Sequence, residues 1–480
     1  MNKSVTFLWA LIIAGAGFLL YNYASPTLEP EDISTPISTT PSTPLQEEVA
    51  EELSENKTYS SLIKEGDQLH NNGYHSDAIK TYQKALTTNP TSIDALYRIG
   101  LTYLEDNKPT EARRYFEQIK ESTENVQIDI LIGRTYINER KIPEALSYFK
   151  KLDPTNAEVR YYIAILKILH KNHEEALAEL KTLASAEGTF NEKIKEKVQI
   201  FVNAYHEFTL FEEGKTQHMQ AVLAKAFIDA EEFEASIPLL YDIIKMQNNY
   251  RDAWVMLGYS YLQTGKVEDA VDALLQAKTL DPQKPQTLFF IGITYAVQEQ
   301  FDEAIQYLEK SLEVGFEPKS LANQKLADLY LIKKEYEKAL QSYKEIIDLN
   351  IADLNIFTKA IWVCIEKIQK PQRAIGFAEE ALKQFPDQAA AYNLRGWAFV
   401  AYEDYEKAQE DLIKALELDP NLDSAYLNLG WLYEKQEIDH LAKEYYKKAY
   451  TIGNGNSIAN LAAIRFNNIL KADISSPYSP

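Results

Sequence analysis

The sequence predicts an all-α chain, an α-solenoid built from stacked helix-turn-helix hairpins. Small residues recur at one period: Gly66, Gly100 and Gly133 lie 34 and 33 residues apart, and Ala78, Ala112 and Ala145 keep the same steps. The spacing returns from Gly258 to Gly292 and from Gly396 to Gly430, with Ala270 to Ala304 and Ala408 to Ala442 alongside. Two small positions sharing a period mark a repeat array. Within a period, two stretches of helical spacing flank a short polar turn such as Gln263-Thr264-Gly265-Lys266. Pro282, after Asp281, then stops the second helix and re-aims the chain.

Taken in chain order, residues 1–24 hold an apolar stretch, Val5 to Tyr21, without a charge. Its length, about 17 residues or roughly 25 Å of helix, just spans a bilayer. We read it as an uncleaved transmembrane anchor, with a cleaved signal segment as the alternative. Asn22 stands where a cleavage site needs a small residue. Lys3 precedes the stretch and no Lys or Arg follows before Lys57. The positive-inside rule therefore expects a cytoplasmic N-terminus and an extracytoplasmic array; if the segment is cleaved, the protein is secreted. Residues 25–57, rich in Pro, Ser, Thr and Glu, have little to bury and read as a disordered linker.

Repeats fill the remainder. Trp254, Leu257, Gly258, Tyr261, Ala270, Leu274, Ala277 and Pro282 give one complete unit. Tyr392, Gly396, Phe399, Ala408, Leu412, Ala415 and Pro420 give another, and Tyr426, Leu429, Gly430, Tyr433, Ala442, Tyr446 and Ala449 a third. On these residues the chain resembles the tetratricopeptide repeat family. That resemblance implies a right-handed superhelix of hairpins and a role in binding proteins or peptides. The glycine and alanine are small because two helices approach there, while larger neighbours fill the seam between hairpins. No unit buries its apolar face alone; stacking does.

About eleven units begin near residues 59, 93, 126, 157, 217, 251, 285, 320, 355, 389 and 423. They form an N-terminal array over 58–190 and a C-terminal array over 217–456. Residues 191–216 fit no complete hairpin; Lys193 to Phe211 read as an extra helix or a degenerate repeat, with a hinge as one reading. Trp362 stands where the ninth unit needs a small residue, which implies a register shift or a wider helix pair. Residues 457–472 read as a capping helix with Ile458, Leu461, Ala462, Phe466 and Ile469 on its buried side, and 473–480 as a disordered tail.

Composition excludes several function classes. With 71 acidic and 50 basic side chains the net charge is −21, which argues against nucleic acid or an anionic membrane surface as the main partner. The single cysteine, Cys364, excludes an intramolecular disulfide framework and a cysteine-based zinc site. It reads as a buried small hydrophobe. Phosphate-loop, dinucleotide, nucleophile-elbow and zincin motifs are all absent, so we expect neither cofactor nor catalysis. His170 and His173 read as surface histidines.

The resemblance also implies where a partner binds. In the family, the second, fifth and ninth positions of a unit and the turn beyond line a concave groove. Those positions fall here on Val255, Tyr259, Leu262, Phe289 and Ile293, then on Asn393, Trp397, Val400, Leu427 and Trp431. Gln324, Asp328, Lys359 and Val363 make a more polar middle. The basic cluster of the family's carboxylate-clamp variety is missing. The expected occupant is therefore an apolar or amphipathic segment of a protein partner.

Overall fold

A computed structural model describes residues 59–71, 73–186, 191–209, 216–454 and 456–475. Among these residues the structure is all helix and turn, in two compact units divided between Pro318 and Lys319. The anchor and linker read from residues 1–57 lie outside the described residues. Among the described residues no helix is long and apolar enough to cross a membrane.

The first unit contains α1 (Tyr59–Asn71), α2 (His75–Thr88), α3 (Ile93–Glu105), α4 (Pro109–Ser122), α5 (Val126–Asn138), α6 (Ile142–Phe149), α7 (Ala157–Leu169) and α8 (His173–Ala184). It continues through α9 (Glu192–Thr209), α10 (Thr216–Asp229), α11 (Phe233–Met246), α12 (Arg251–Gln263), α13 (Val267–Leu280), α14 (Pro285–Val297) and α15 (Phe301–Glu313). The unpaired α9 packs against both α8 and α10. The boundary between compact units thus falls more than a hundred residues beyond this helix.

The hairpins close through one device. Each glycine of a first helix faces a large side chain of the second: Gly100 meets Phe116, Gly133 meets Phe149 and Gly258 meets Leu274. A Cβ placed at Gly258 would lie 2.5 Å from Leu274 Cγ. Only a residue without a side chain lets the helices approach this far. Each turn then uses one left-handed residue. Gly265 takes it at φ +72°, but Asn107, Arg140, Lys171, Glu299, Lys334, Glu403 and Glu437 adopt it without being glycine. Lys108 N–H donates to Tyr103 O at 2.8 Å and Lys141 N–H to Tyr136 O at 2.9 Å, satisfying carbonyls that the ending helix leaves unpaired.

The first unit also closes on itself over long sequence distances. Arg140 donates to the Tyr261 hydroxyl at 3.3 Å and stands 5.4 Å from the Tyr241 ring centre. Lys171 pairs with Asp242 at 2.8 Å. Buried Glu232 accepts from Lys197 at 2.7 Å and from the Tyr161 hydroxyl at 3.3 Å.

The second unit contains α16 (Lys319–Ile332), α17 (Tyr336–Asp348), α18 (Leu354–Trp362), α19 (Pro371–Gln384), α20 (Ala389–Tyr402), α21 (Tyr405–Leu418), α22 (Asp423–Lys435), α23 (Asp439–Gly453) and α24 (Ser457–Ser475). After Trp362 the helix widens into a π-turn, Val363–Lys367, with Ile368 N–H bonded to Val363 O at 3.0 Å. Of the two readings at Trp362, the register shift is what occurs. Trp362 ends the regular helix half-buried, and the π-turn that follows carries Val363 and Cys364 into the core. In α24, Ala459, Ala462 and Ile469 are buried, with Ile458 and Phe466 packed beside them. Leu461 faces solvent at 41% exposure, which corrects its expected place on the buried side.

Candidate functional site

The ten residues expected to line the apolar groove divide by unit, and Val400, in the second, is fully buried. In the first, Val255, Phe289 and Ile293 are fully buried, and Tyr259 and Leu262 nearly so. The Tyr259 ring packs edge-on to Phe233 and tilted on Phe290, with centroids at 5.8 and 5.4 Å. Phe289 stacks on Phe316 with centroids 4.2 Å apart. In this structure these five side chains belong to the core and present no surface. The physical reason lies in the helices themselves. In α12 every residue from Val255 to Leu262 is buried, and α14 buries nine of its residues, so neither keeps a polar face toward water.

The second unit retains a face. Its successive first helices α18, α20, α22 and α24 lie side by side. Asn393, Leu427 and Asn428 are almost buried: Asn428 donates to Asn393 Oδ1 at 2.9 Å, and Asn393 donates to Ser424 Oγ at 3.2 Å. This short amide ladder ties α20 to α22 and satisfies polar groups that burial would otherwise penalise. Trp397 and Trp431 occupy equivalent places on these two helices and stay half-buried. Trp397 rests against the apolar core around α18 and α19, and Trp431 against the core that Phe399, Val400, Leu412 and Leu432 build. The Arg465 guanidinium and Lys435 ammonium stand 5.6 and 6.0 Å from the Trp431 ring centre. The ring's negative face attracts both cations, and its half-buried indole still offers apolar surface.

The polar middle is internally neutralised. Asp328 Oδ1 pairs with Lys359 Nζ at 3.0 Å, and Val363 lies in the π-turn core. Burial pushes the neighbouring Lys325 down to about 8. A cavity of about 480 Å³ opens among α19, α20 and α21, and both its cations are paired within its own lining. Arg395 forks onto both oxygens of Asp411 at 2.7 Å, and Lys407 pairs with Asp404 at 2.7 Å. Burial pushes the Cys364 thiol up to about 11, so it stays protonated at neutral pH. His173 bonds the Tyr205 hydroxyl at 3.0 Å.

One cluster was not legible as a site in the sequence. His70 and His75 straddle the α1–α2 turn and converge on Glu105 at the end of α3. The available signal is two histidines five residues apart around Gly73, followed one period later by an acidic pair, Glu105-Asp106.

Comparison with known proteins locates the repeats independently. A model described as TPR repeat matches residues 66–107 and 396–437, and three models described as tetratricopeptide repeat match 94–122, 222–285, 291–353 and 423–452. A TPR repeat-containing protein, YpiA of Bacillus subtilis, is 24% identical over 247 residues, 45% of this chain and 58% of that protein. Protein bimA of Emericella nidulans is 23% identical over 210 residues, 42% of this chain and 25% of that protein. The chain thus spans little more than half of the first relative and a quarter of the second. Among solved structures, yeast Tom70 aligns over 87% of this chain and 97% of its own, at 13% identity and a TM-score of 0.30.

Proposed function

Since the chain is a tetratricopeptide-repeat protein, a class that acts as protein-interaction scaffolds, we propose that it is a non-catalytic scaffold, held at a membrane by residues 5–21, that captures an apolar or amphipathic segment of a partner protein. The capturing face is the first-helix face of the second unit. One observation carries this reading: Trp397 and Trp431 stand at equivalent places on adjacent helices and remain half-buried, while the other apolar residues expected in the groove are closed into the core. Packed helices lie about 8–10 Å apart. Two anchors at that separation suit apolar side chains three residues apart on a polyproline II segment, which has three residues per turn and a rise of about 3.1 Å per residue. They also suit residues seven apart on a helix at about 1.5 Å per residue.

The test substitutes Trp397→Ala and Trp431→Ala separately and reads both thermal unfolding and photocrosslinking from a probe at Leu461, exposed on the neighbouring cap helix one turn before Arg465, which meets Trp431. Aromatic anchors dominate interfaces, and losing one costs about 2 kcal/mol or more of binding. The expected result is a crosslinked partner that disappears in both variants while unfolding stays near native. A core tryptophan would instead cost about 3–5 kcal/mol of stability on truncation. Lowered stability with the crosslink intact therefore refutes the reading.

A further inference from the structure

We propose that His70, His75 and Glu105 form a divalent-metal site, suited to zinc, that fastens the first hairpin of the array to the second. The inference is independent of the tryptophan face. Its basis is the arrangement of hydrogens around the two imidazoles. Thr102 Oγ1 donates its hydrogen to Arg98 O at 2.7 Å, so toward His70 Nδ1, at 3.1 Å, it acts as an acceptor. His70 therefore carries its hydrogen on Nδ1. His75 Nδ1 lies 2.6 Å from the carboxylate oxygen Asp106 Oδ1, which also requires a hydrogen on that nitrogen. Each neutral ring thus keeps its lone pair on Nε2.

Those lone pairs meet a third. Glu105 Oε2 lies 3.3 Å from His70 Nε2 and 3.7 Å from His75 Nε2. The three ligand atoms all fall within 4.8 Å of one another. Three lone pairs at such distances repel unless a positive centre lies among them. One proton answers only one of the two His–Glu contacts, and a second would charge both rings, which stack with centroids 5.3 Å apart and planes 22° from parallel. Two imidazolium ions face to face oppose each other. One metal ion serves both rings and the carboxylate at once. Zinc–ligand distances of about 2.0–2.2 Å place neighbouring ligand atoms of a tetrahedron roughly 3.3–3.5 Å apart, close to the observed His–Glu separations.

The outer partners have the form that metal sites use. A ligating histidine commonly donates its other N–H to a carboxylate or another oxygen, which fixes the ring and makes it more basic. Asp106 does this for His75 and Thr102 for His70. Lys108, at 3.0 Å, braces Asp106 from its other oxygen. Two nitrogens and one carboxylate are a borderline donor set that selects zinc over calcium or magnesium. The half-exposed Glu105 leaves the fourth position to water. His70 and His75 come from the first hairpin and Glu105 from the second, so the ion bridges units.

The experiment uses the full chain without a histidine tag, stripped by chelator, with zinc alone as ligand in competition with a chromophoric chelator. Cobalt substitution adds a visible tetrahedral spectrum. One equivalent per chain is expected, with affinity lowered at least 100-fold in His75→Gln and in Glu105→Gln. Asp106→Asn should lower it 10- to 100-fold, the range for outer partners. His173→Gln and His440→Gln should leave it unchanged. Independently of any variant, zinc should slow hydrogen exchange in α1 to α3 of the native chain. Binding that all the variants share equally would mean an adventitious ion only and would overturn the site. So would exchange in α1 to α3 that zinc leaves untouched.

Discussion

Glu139, at the C-terminus of α5, accepts from Arg113 of α4 at 2.7 Å while that guanidinium lies 4.1 Å from the centre of the Tyr136 ring. A carboxylate at a helix C-terminus is disfavoured by the helix dipole, so the pairing offsets a local cost. Burial alone would raise the Glu139 pKa, but hydrogen bonds from Lys141, Thr110 and Arg113 overcome it and hold the group at about 2. In the unfolded chain a glutamate titrates near about 4.3. Between those values the unfolded state binds more protons than the folded one, so the contribution of Glu139 is complete above about pH 5 and disappears as pH falls toward 2. Glu139→Gln should accordingly destabilise the α4–α5 junction at pH 6 and progressively less as the pH drops. Urea midpoints measured for both proteins from pH 6 to pH 2.5 check this; a penalty independent of pH would contradict it.

Gly258→Leu should overpack the α12–α13 pair, because even a Cβ reaches within 2.5 Å of Leu274 Cγ and 3.2 Å of Ala270 O. Overpacking of this kind costs about 1–3 kcal/mol. Contacts in a repeat array run between neighbours, so accelerated hydrogen exchange should concentrate in α11 to α14. A uniform increase over both units would count against the stacking account.

Glu299 ends α14 in the left-handed region at φ +59°. A residue with a side chain is disfavoured there by roughly 1–2 kcal/mol, whereas glycine is not. Glu299→Gly should therefore raise stability, by about 0.5–1 kcal/mol once the greater freedom of the unfolded chain is subtracted. Gly265→Ala, at φ +72°, should do the reverse. Denaturation midpoints of the two variants should move in opposite directions.

The proposed tether has its own test. With residues 5–21 uncleaved and the array outside, protease added to intact cells, or to spheroplasts where an outer membrane is present, should cut within residues 25–57 and release the folded repeats. Protection until lysis would reverse the orientation. A mature chain shorter by about 24 residues would mean a cleaved signal segment.

The sequence carries the hairpins plainly because their closure is local. Gly258 and Ala270 are twelve residues apart, and the requirement that links them is satisfied inside one unit. The groove is different, since whether a side chain such as Val255 faces water depends on what covers it from elsewhere. Arg140 and Tyr261, more than a hundred residues apart, show that the first unit folds back on itself. One sign is nonetheless present: the run Leu288 to Ile293 offers no polar residue to face solvent, and a helix apolar on every side is a buried one. The register borrowed from the repeat family overrides that sign. His70, His75 and Glu105 are hidden for the opposite reason, because they lie in turns and helix ends where the period imposes no residue type.

The π-turn after Trp362 bears on how this array can be rearranged. Chains of identical modules tolerate excision, duplication and exchange, because every seam mates with every other. Here one hairpin enters its seam through a turn in which Lys370 N–H reaches back to Cys364 O at 2.8 Å, and the helix beyond Trp362 is rotated out of phase with a plain α-helix. Tyr343 and Ile346 of α17 and Leu394 and Ala398 of α20 share one core with Val363 and Cys364. Recombination that trades α18 and α19 for any regular hairpin yields a mismatched joint, which makes this stretch a fixed landmark around which the others are the exchangeable parts.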